Sequence, residues 1–461
     1  MTIPQRRAAR ARGAFIGAWL AWPALRLTVA VLALTVVAGS VRAAEARAGE
    51  PPGQRAAHKP AARRAPPRKV SRKQSFSWLN PTTWPVLPVP MIAVDPSNGA
   101  TLGIMPTMLQ ADGSGRIVRI IAPDVVHNDY FGTGGDVRWL EYPSTDTRWS
   151  VNAGIMQRVD SDFAAMYRTG LLRTRRWSLA TALRYTRNGA ERFFGIGNAT
   201  RYCAQSVYTG QRLVLRGTIG WNITHTWQLA YTLLARRVRV SGGHLPGVVS
   251  ITRRFPSVLG MGTTDELLER LAVVYDTRNS ITLPTSGADV TVYYDAASRD
   301  WTPGGSMFTA AGADARFYWA STRRLTIAMH VDLRYMLSLH AVPFWALSSI
   351  GGDRSILGGR QTLRGFDNSR FYGRDSFVAN IEFRQQVLSL NTLGTHVELQ
   401  IAPFYDVGRV FEHSATFPID KLHNVLGVGF RGIAPPSIVG YVDIGYGGEG
   451  AQVYTGIDYP F

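Results

Sequence analysis

The chain has 461 residues, of which only 18% are charged, against roughly 25% in an average soluble domain. Past the first 46 residues no apolar run reaches the ~20 residues of a membrane-spanning helix, so the body is not a helical membrane protein. The single cysteine, Cys203, rules out an intrachain disulfide. Of the net charge of +19, +13 lies in residues 1–73, which leaves the body without the basic excess of a nucleic-acid reader.

At the start, Arg6, Arg7, Arg10 and Arg12 precede an apolar core, Leu27–Val37, and two small-residue cleavage sites, Val41-Arg42-Ala43 and Ala44-Glu45-Ala46. This is the layout of an export signal, and it predicts a signal peptide over 1–43 with cleavage near 43–46. Arg26 interrupts the longer apolar run and argues against an uncleaved anchor. Residues 44–90 then read as a disordered Pro/Ala/Arg-rich linker and an irregular lead-in with Trp78 and Trp84. The linker has too few large apolar groups to offset the entropy of ordering it.

From residue 116 the pattern changes to strict alternation. Leu325, Ile327, Met329, Val331, Leu333 and Tyr335 alternate with Thr326, Ala328, His330, Asp332 and Arg334. Successive side chains of a strand point to opposite faces. A transmembrane barrel turns such an apolar face to lipid and the charged face to a wet lumen. Sixteen segments of this kind span 116–128, 132–143, 147–159, 161–174, 176–188, 207–223, 225–241, 265–276, 287–297, 305–320, 323–338, 375–388, 396–411, 422–434, 438–446 and 451–461. The expectation is an all-β fold, a 16-stranded antiparallel up-and-down transmembrane β-barrel over 91–461.

The long connections, 189–206, 242–264, 339–374 and 412–421, lie two, four and two strands apart. They therefore leave from one end, the cell-surface end if short turns face the periplasm. Gly99–Gln110 is a seventeenth candidate. As a full span it breaks this parity, so it reads as a periplasmic or lumenal segment.

The connection 339–374 is far longer than an ordinary hairpin loop. It carries Leu363-Arg364-Gly365-Phe366. Two strands later, Phe404, Asp406 and Gly408 share one face, opposite Val397, Leu399, Ile401, Tyr405 and Val407. Asp406 thus points into the lumen and Gly408 leaves space. An inward-folding loop between strands 11 and 12 would bring Arg364 to Asp406 as a two-pronged ion pair. The alternative is an Arg364 in solvent and an Asp406 facing water. His330, Asp332 and Arg334 share the lumenal face of strand 11, and such a triplet is more often pore lining than a catalytic site.

Together these residues resemble the BamA/TamA-type outer-membrane assembly barrels, also called the bacterial surface antigen family. That family carries Val/Leu-Arg-Gly-Phe/Tyr in the loop between strands 11 and 12, and Phe-x-Asp-x-Gly on strand 13. Both motifs match in type and in strand count. The resemblance implies an Arg364–Asp406 contact, with Gly365, Phe366, Phe404 and Gly408 around it. Also family-like are Glu382-x-Arg384, which joins His330, Asp332 and Arg334 in a lumenal polar cluster, Tyr275-Asp276-Thr277-Arg278, and Phe193-Phe194-Gly195-Ile196-Gly197-Asn198. Tyr454-x-Gly456-x-x-Tyr459-x-Phe461 resembles the terminal assembly signal of outer-membrane barrels. The stretch before strand 1 lacks the mixed helix–strand pattern of the periplasmic POTRA domains found in insertases of the family.

There is no Gly-x-Ser-x-Gly elbow and no His-Glu-x-x-His, so the residues point to no enzyme, cofactor or catalytic metal. The resemblance implies residence in the bacterial outer membrane. It implies as partners lipopolysaccharide and phospholipid, the barrel-assembly machinery during the chain's own insertion, and unfolded protein cargo, with no nucleic acid. The expected role is assisting insertion or translocation of proteins, or of lipids. A passive or gated pore, and a surface antigen or adhesin, are the alternatives.

Overall fold

The computed structural model describes residues 87–95, 99–112, 117–299, 306–352, 363–392, 395–412, 420–434 and 438–457. The export signal at 1–43 and the linker up to residue 86 lie outside them. In chain order the strands are β1 (Leu87–Asp95), β2 (Gly99–Ala111), β3 (Ile117–Asn128), β4 (Gly132–Ser144), β5 (Thr147–Met156), β6 (Asp160–Thr169) and β7 (Trp177–Phe193). Next come β8 (Ser206–Asn222), β9 (Trp227–Gly242), β10 (Val249–Ser250), a one-turn helix α1 (Ile251–Arg254), β11 (Gly262–Asp276), β12 (Gly287–Arg299), β13 (Ser306–Ala320) and β14 (Leu325–Leu339). The last are β15 (Ser348–Ile350), β16 (Phe371–Gly373), β17 (Asp375–Thr392), β18 (Thr395–Phe411), β19 (His423–Ala434), β20 (Ile438–Gly447) and β21 (Gly450–Ile457). No helix of the described residues is long and apolar enough to cross a membrane, which does not bear on strands.

Setting aside β10, β15 and β16, the long strands pair antiparallel, each with the next in sequence, from β1 to β21. Among the described residues that makes 18 long strands in one barrel-like sheet, where the alternation suggested 16. The difference is the hairpin β1–β2, registered from Leu87↔Thr107 to Asp95↔Gly99. Its first four residues fall in the stretch read from sequence as irregular, and its second strand contains the Gly99–Gln110 segment set aside on parity. Parity survives because two strands are added rather than one. Pro88 and Pro90 obscured β1, but an edge strand tolerates the lost donors. In consequence β3, the first of the sixteen alternating segments, is an interior strand: it pairs with both β2 and β4. Pro123 and Pro106 instead fall in a gap of the β2–β3 ladder, between Ile104↔Val125 and Met108↔Ile121.

Burial in this sheet runs opposite to that of a soluble protein. On β14, Ala328, His330, Asp332, Arg334 and Met336 are buried, while Met329 and Val331 are exposed. The same inversion holds on β18, where Asp406 is buried and Ile401 and Tyr405 are exposed. Apolar exposure of this extent marks a surface made for an apolar environment.

At the end of the long connections a hydrophobic core fills the inner side. Phe193, Tyr208, Phe344, Trp345 and Tyr372 form its centre, with Phe193 and Phe344 ring centroids 4.6 Å apart. The three-residue strands β15 and β16 pair with each other inside the β14–β17 connection, and Phe344, Trp345 and Tyr372 of that connection pack here.

Candidate functional site

The site is built where that connection meets the inner face of β17–β20. Alternation on these strands turns Glu382, Arg384, Asp406, Arg431 and Asp443 inward, and all five are buried. Arg364 enters among them from the connection and is fully buried. Its Nε and Nη2 donate to the two oxygens of Asp406 at 2.9 and 2.7 Å. Its backbone N–H donates to Asp406 Oδ2 at 3.1 Å. Nη1 donates to Asp443 Oδ2 at 3.0 Å and to Glu382 Oε1. The Phe404 ring lies 3.5 Å from the guanidinium carbon. Glu382 also accepts from Arg384 Nε at 2.8 Å and from Arg431 Nη2 at 3.1 Å, and Arg431 pairs with Asp443. Three arginines thus meet three carboxylates, and their formal charges cancel. Buried charges need such pairing, and a bidentate arginine–carboxylate pair is its strongest form.

Around the ion network the backbone is cut back. Gly365 packs on β20, where an added Cβ would stand 2.7 Å from the Gly447 nitrogen. Phe366 is buried beside Phe371, ring centroids 5.2 Å apart, and its carbonyl accepts from the Tyr454 hydroxyl. Gly408 does not make room for Arg364. A Cβ there would sit 3.3 Å from Ile350 Cδ1 of β15, so it accommodates a different part of the same connection.

The residues grouped from sequence as one lumenal cluster fall into two. Glu382 and Arg384 belong to the Arg364 network. His330 sits further round the sheet, with Nδ1 2.9 Å from Asn380 Oδ1 and Nε2 3.6 Å from Asp314. Asp314 continues through Arg316 at 2.8 Å, Asp289 at 3.3 Å and Arg278 at 3.2 Å. Asp314, His330 and Asp332 bring donor atoms within 4.8 Å of one another, but Asp314 is already held by Arg316, so this group is a link in a charge chain. Arg334 stacks near Phe308, 5.3 Å from its ring centroid. Tyr454, expected in a terminal signal, is buried against the inward connection. Gly456 pairs with Tyr441 on β20, and Tyr459 and Phe461 lie outside the described residues.

Three features were missed from sequence. Arg431 and Asp443 complete the network; each is an isolated charge on the inner face of a Gly-rich strand, a signal that alternation could have supplied. Arg370, fully buried, donates to Glu449 at 2.8 Å and to Thr200 Oγ1 and O at 2.8 and 2.7 Å. It ties the inward connection to the β20–β21 turn and to the β7–β8 connection. From that connection Asn198 also reaches Val410 N at 3.1 Å and Lys421 O at 2.9 Å.

Arg364 is thus held between carboxylates inside a sheet whose outer face is apolar, with all three guanidinium nitrogens engaged. The family model described as "Omp85 superfamily domain" matches residues 145–435. The chain belongs to the Omp85 superfamily. These are outer-membrane β-barrels and not enzymes. No curated protein sequence matches this Omp85 chain. Among solved structures it is similar to "The crystal structure of BamA from Haemophilus ducreyi lacking POTRA domains 1-3", with 12% identity and a TM-score of 0.47 over 77% of this chain and 74% of that one. It is similar to CdiB from Acinetobacter baumannii, with 13% identity and a TM-score of 0.46 over 82% and 66%. It is also similar to CdiB from Escherichia coli, with 11% identity and a TM-score of 0.40 over 81% and 62%.

Proposed function

We propose that this Omp85 chain is an outer-membrane barrel that assists insertion or translocation of proteins at the outer membrane. On this reading residues 1–43 direct export and 44–86 form a linker in the periplasm. Barrel-assembly machinery reads the terminal strand, and lipopolysaccharide and phospholipid surround the outer face. Unfolded protein is the cargo.

The observation that carries the reading is the meeting of the first and last strands. β1 and β21 run side by side with Cα atoms within 8 Å, yet among the described residues no hydrogen-bonded ladder joins them. Unpaired strand edges template the pairing of another strand, and in lipid they are costly enough to be closed or used. The Arg364 network acts as a loop–lumen lock: it holds the β14–β17 connection inside while the seam provides the route. Comparing the outer-membrane proteome with and without this chain tests the proposal. Depletion of several other barrels supports assembly.

A gated pore is the second reading. It is favoured by the charge chain His330–Asp314–Arg316–Asp289–Arg278, which lines the inner face away from the lock. A solute-uptake defect with an unchanged proteome would decide for the pore.

A further inference from the structure

The outer face of β7–β9 and β11 has a measurable height. At the short-turn end, Trp177, Trp221 and Trp227 are exposed side by side, with Trp177↔Trp221 in register and Trp227 4.7 Å from Tyr275. Such a row marks one membrane interface. Above it the outward positions are mostly apolar: Leu179, Leu183, Leu215, Ile219, Leu233 and Leu271 are outward-facing and exposed, while Thr181 and Glu269 are polar positions within the band. Ten residues beyond each aromatic, the side chains change character. These positions are Arg187 from Trp177, Gln211 from Trp221, Arg237 from Trp227 and Asp265 from Tyr275. Ten residues at about 3.3 Å, tilted by about 40°, rise about 25 Å, the height of an outer-membrane apolar band. Arg187 and Arg237 therefore stand at the opposite interface, on the long-connection side.

At that level one register row runs Ser161↔Arg187↔Gln211↔Arg239↔Thr263 across five neighbouring strands. Arg187 and Arg239 are exposed and lie two strands, about 10 Å, apart. Acidic groups nearby on this face are engaged. Asp265 holds Arg237 at 2.7 and 2.8 Å, and Glu269 accepts from Tyr231 at 2.7 Å. Among the described residues no carboxylate pairs with Arg187 or Arg239. Two guanidinium groups with the Gln211 amide between them and the Ser161 and Thr263 hydroxyls on either side, directly above an apolar wall, are complementary to an amphiphile with phosphate at its head and acyl chains below.

We propose that Arg187 and Arg239, with Ser161, Gln211 and Thr263, bind the phosphate groups of the phosphorylated glycolipid of the outer leaflet, lipopolysaccharide. The inference rests on the barrel reading above, with the long connections facing the cell surface.

The test uses the full mature chain, reconstituted in neutral lipid nanodiscs and titrated with bisphosphorylated lipid A, with the dephosphorylated glycolipid and with phosphatidylglycerol. Each sample is also run unboiled and boiled on a gel. The expected result is saturable binding of the bisphosphorylated form alone, weakened about thirty-fold in the Arg187→Gln/Arg239→Gln variant, as for two lost basic contacts at a charged lipid surface. Arg184→Gln, three residues from Arg187 on the opposite face of β7, should bind as the wild type does. Equal binding by the double variant, by the dephosphorylated glycolipid or by phosphatidylglycerol overturns the site. If the wild type shows no heat-modifiable band, the barrel reading has failed and the site fails with it; a heat-modifiable double variant with undiminished binding sinks the site alone.

Discussion

Removing Arg364 should open the inner connection, and the network sets the size of the effect. Its guanidinium and backbone N–H make three hydrogen bonds to Asp406 and the guanidinium reaches two further carboxylates. None of the four side chains is exposed. Arg364→Ala leaves Glu382, Asp406 and Asp443 facing only Arg384 and Arg431, one uncompensated negative charge. Asp406→Ala leaves one uncompensated positive charge. Breaking a buried pair in this way costs about 3–5 kcal/mol, and the lower end corresponds to roughly a hundredfold in the opening equilibrium. The double variant restores neutrality, so its cost should be close to that of either single, with a coupling of about 3 kcal/mol. The assay is limited proteolysis of folded protein, with cleavage between Gly352 and Leu363 followed by mass spectrometry. Each single variant should be cut about a hundred times faster than wild type, and the double no faster than the singles. Strictly additive effects, or single variants within threefold of wild type, would refute the idea that this network holds the connection.

Three further outcomes follow from the same structure. Unboiled protein should migrate differently from boiled protein on a detergent gel, because a barrel-like sheet of long strands paired each with the next resists unfolding; identical mobility would remove the barrel reading. Gly365→Val should release the connection about as strongly as Arg364→Ala, since even a Cβ would stand 2.7 Å from the Gly447 nitrogen and 2.8 Å from Val425 Cγ2; unchanged protease resistance would show that the packing yields. Cys203, exposed in the β7–β8 connection, should react in intact cells with a membrane-impermeant maleimide; labelling only after the outer membrane is broken would invert the topology.

What was legible in the chain follows from what period-2 alternation can carry. It separates Met329 and Val331 from His330 and Asp332 without knowledge of the partner strands, because facing is local. It finds Asp406 on the inner face for the same reason. It says little about strands whose local signal is weak. β1 begins Leu87-Pro88-Val89-Pro90 and was hidden by prolines that only its edge position permits. Non-local partners are beyond it as well. Arg364 and Asp443 are 79 residues apart in sequence, as are Arg370 and Glu449, and alternation assigns them faces but not neighbours. The contact of Arg364 with Asp406 was suggested by family motifs; the part played by Arg431 and Asp443 needed the sheet order that puts β17 to β20 side by side.

That sheet order also bears on why the connection is held by charge. Within the network, β17–β20 supply Glu382, Asp406 and Asp443 against Arg384 and Arg431, an excess of one negative charge before Arg364 arrives. An apolar loop residue in place of Arg364 would leave this excess buried, while arginine cancels it with directional bonds. Because desolvation offsets much of the Coulombic gain, the net hold is smaller than the cost of deleting one partner. A contact of this kind fixes one register strongly, with Gly365 and Phe366 seated by the same placement, yet lets the whole segment leave together if water enters. On the proposed reading of this connection as a loop–lumen lock, release as a unit is what clearing the barrel interior requires, and a purely hydrophobic anchor in the same place would meet no electrostatic complement to specify its return.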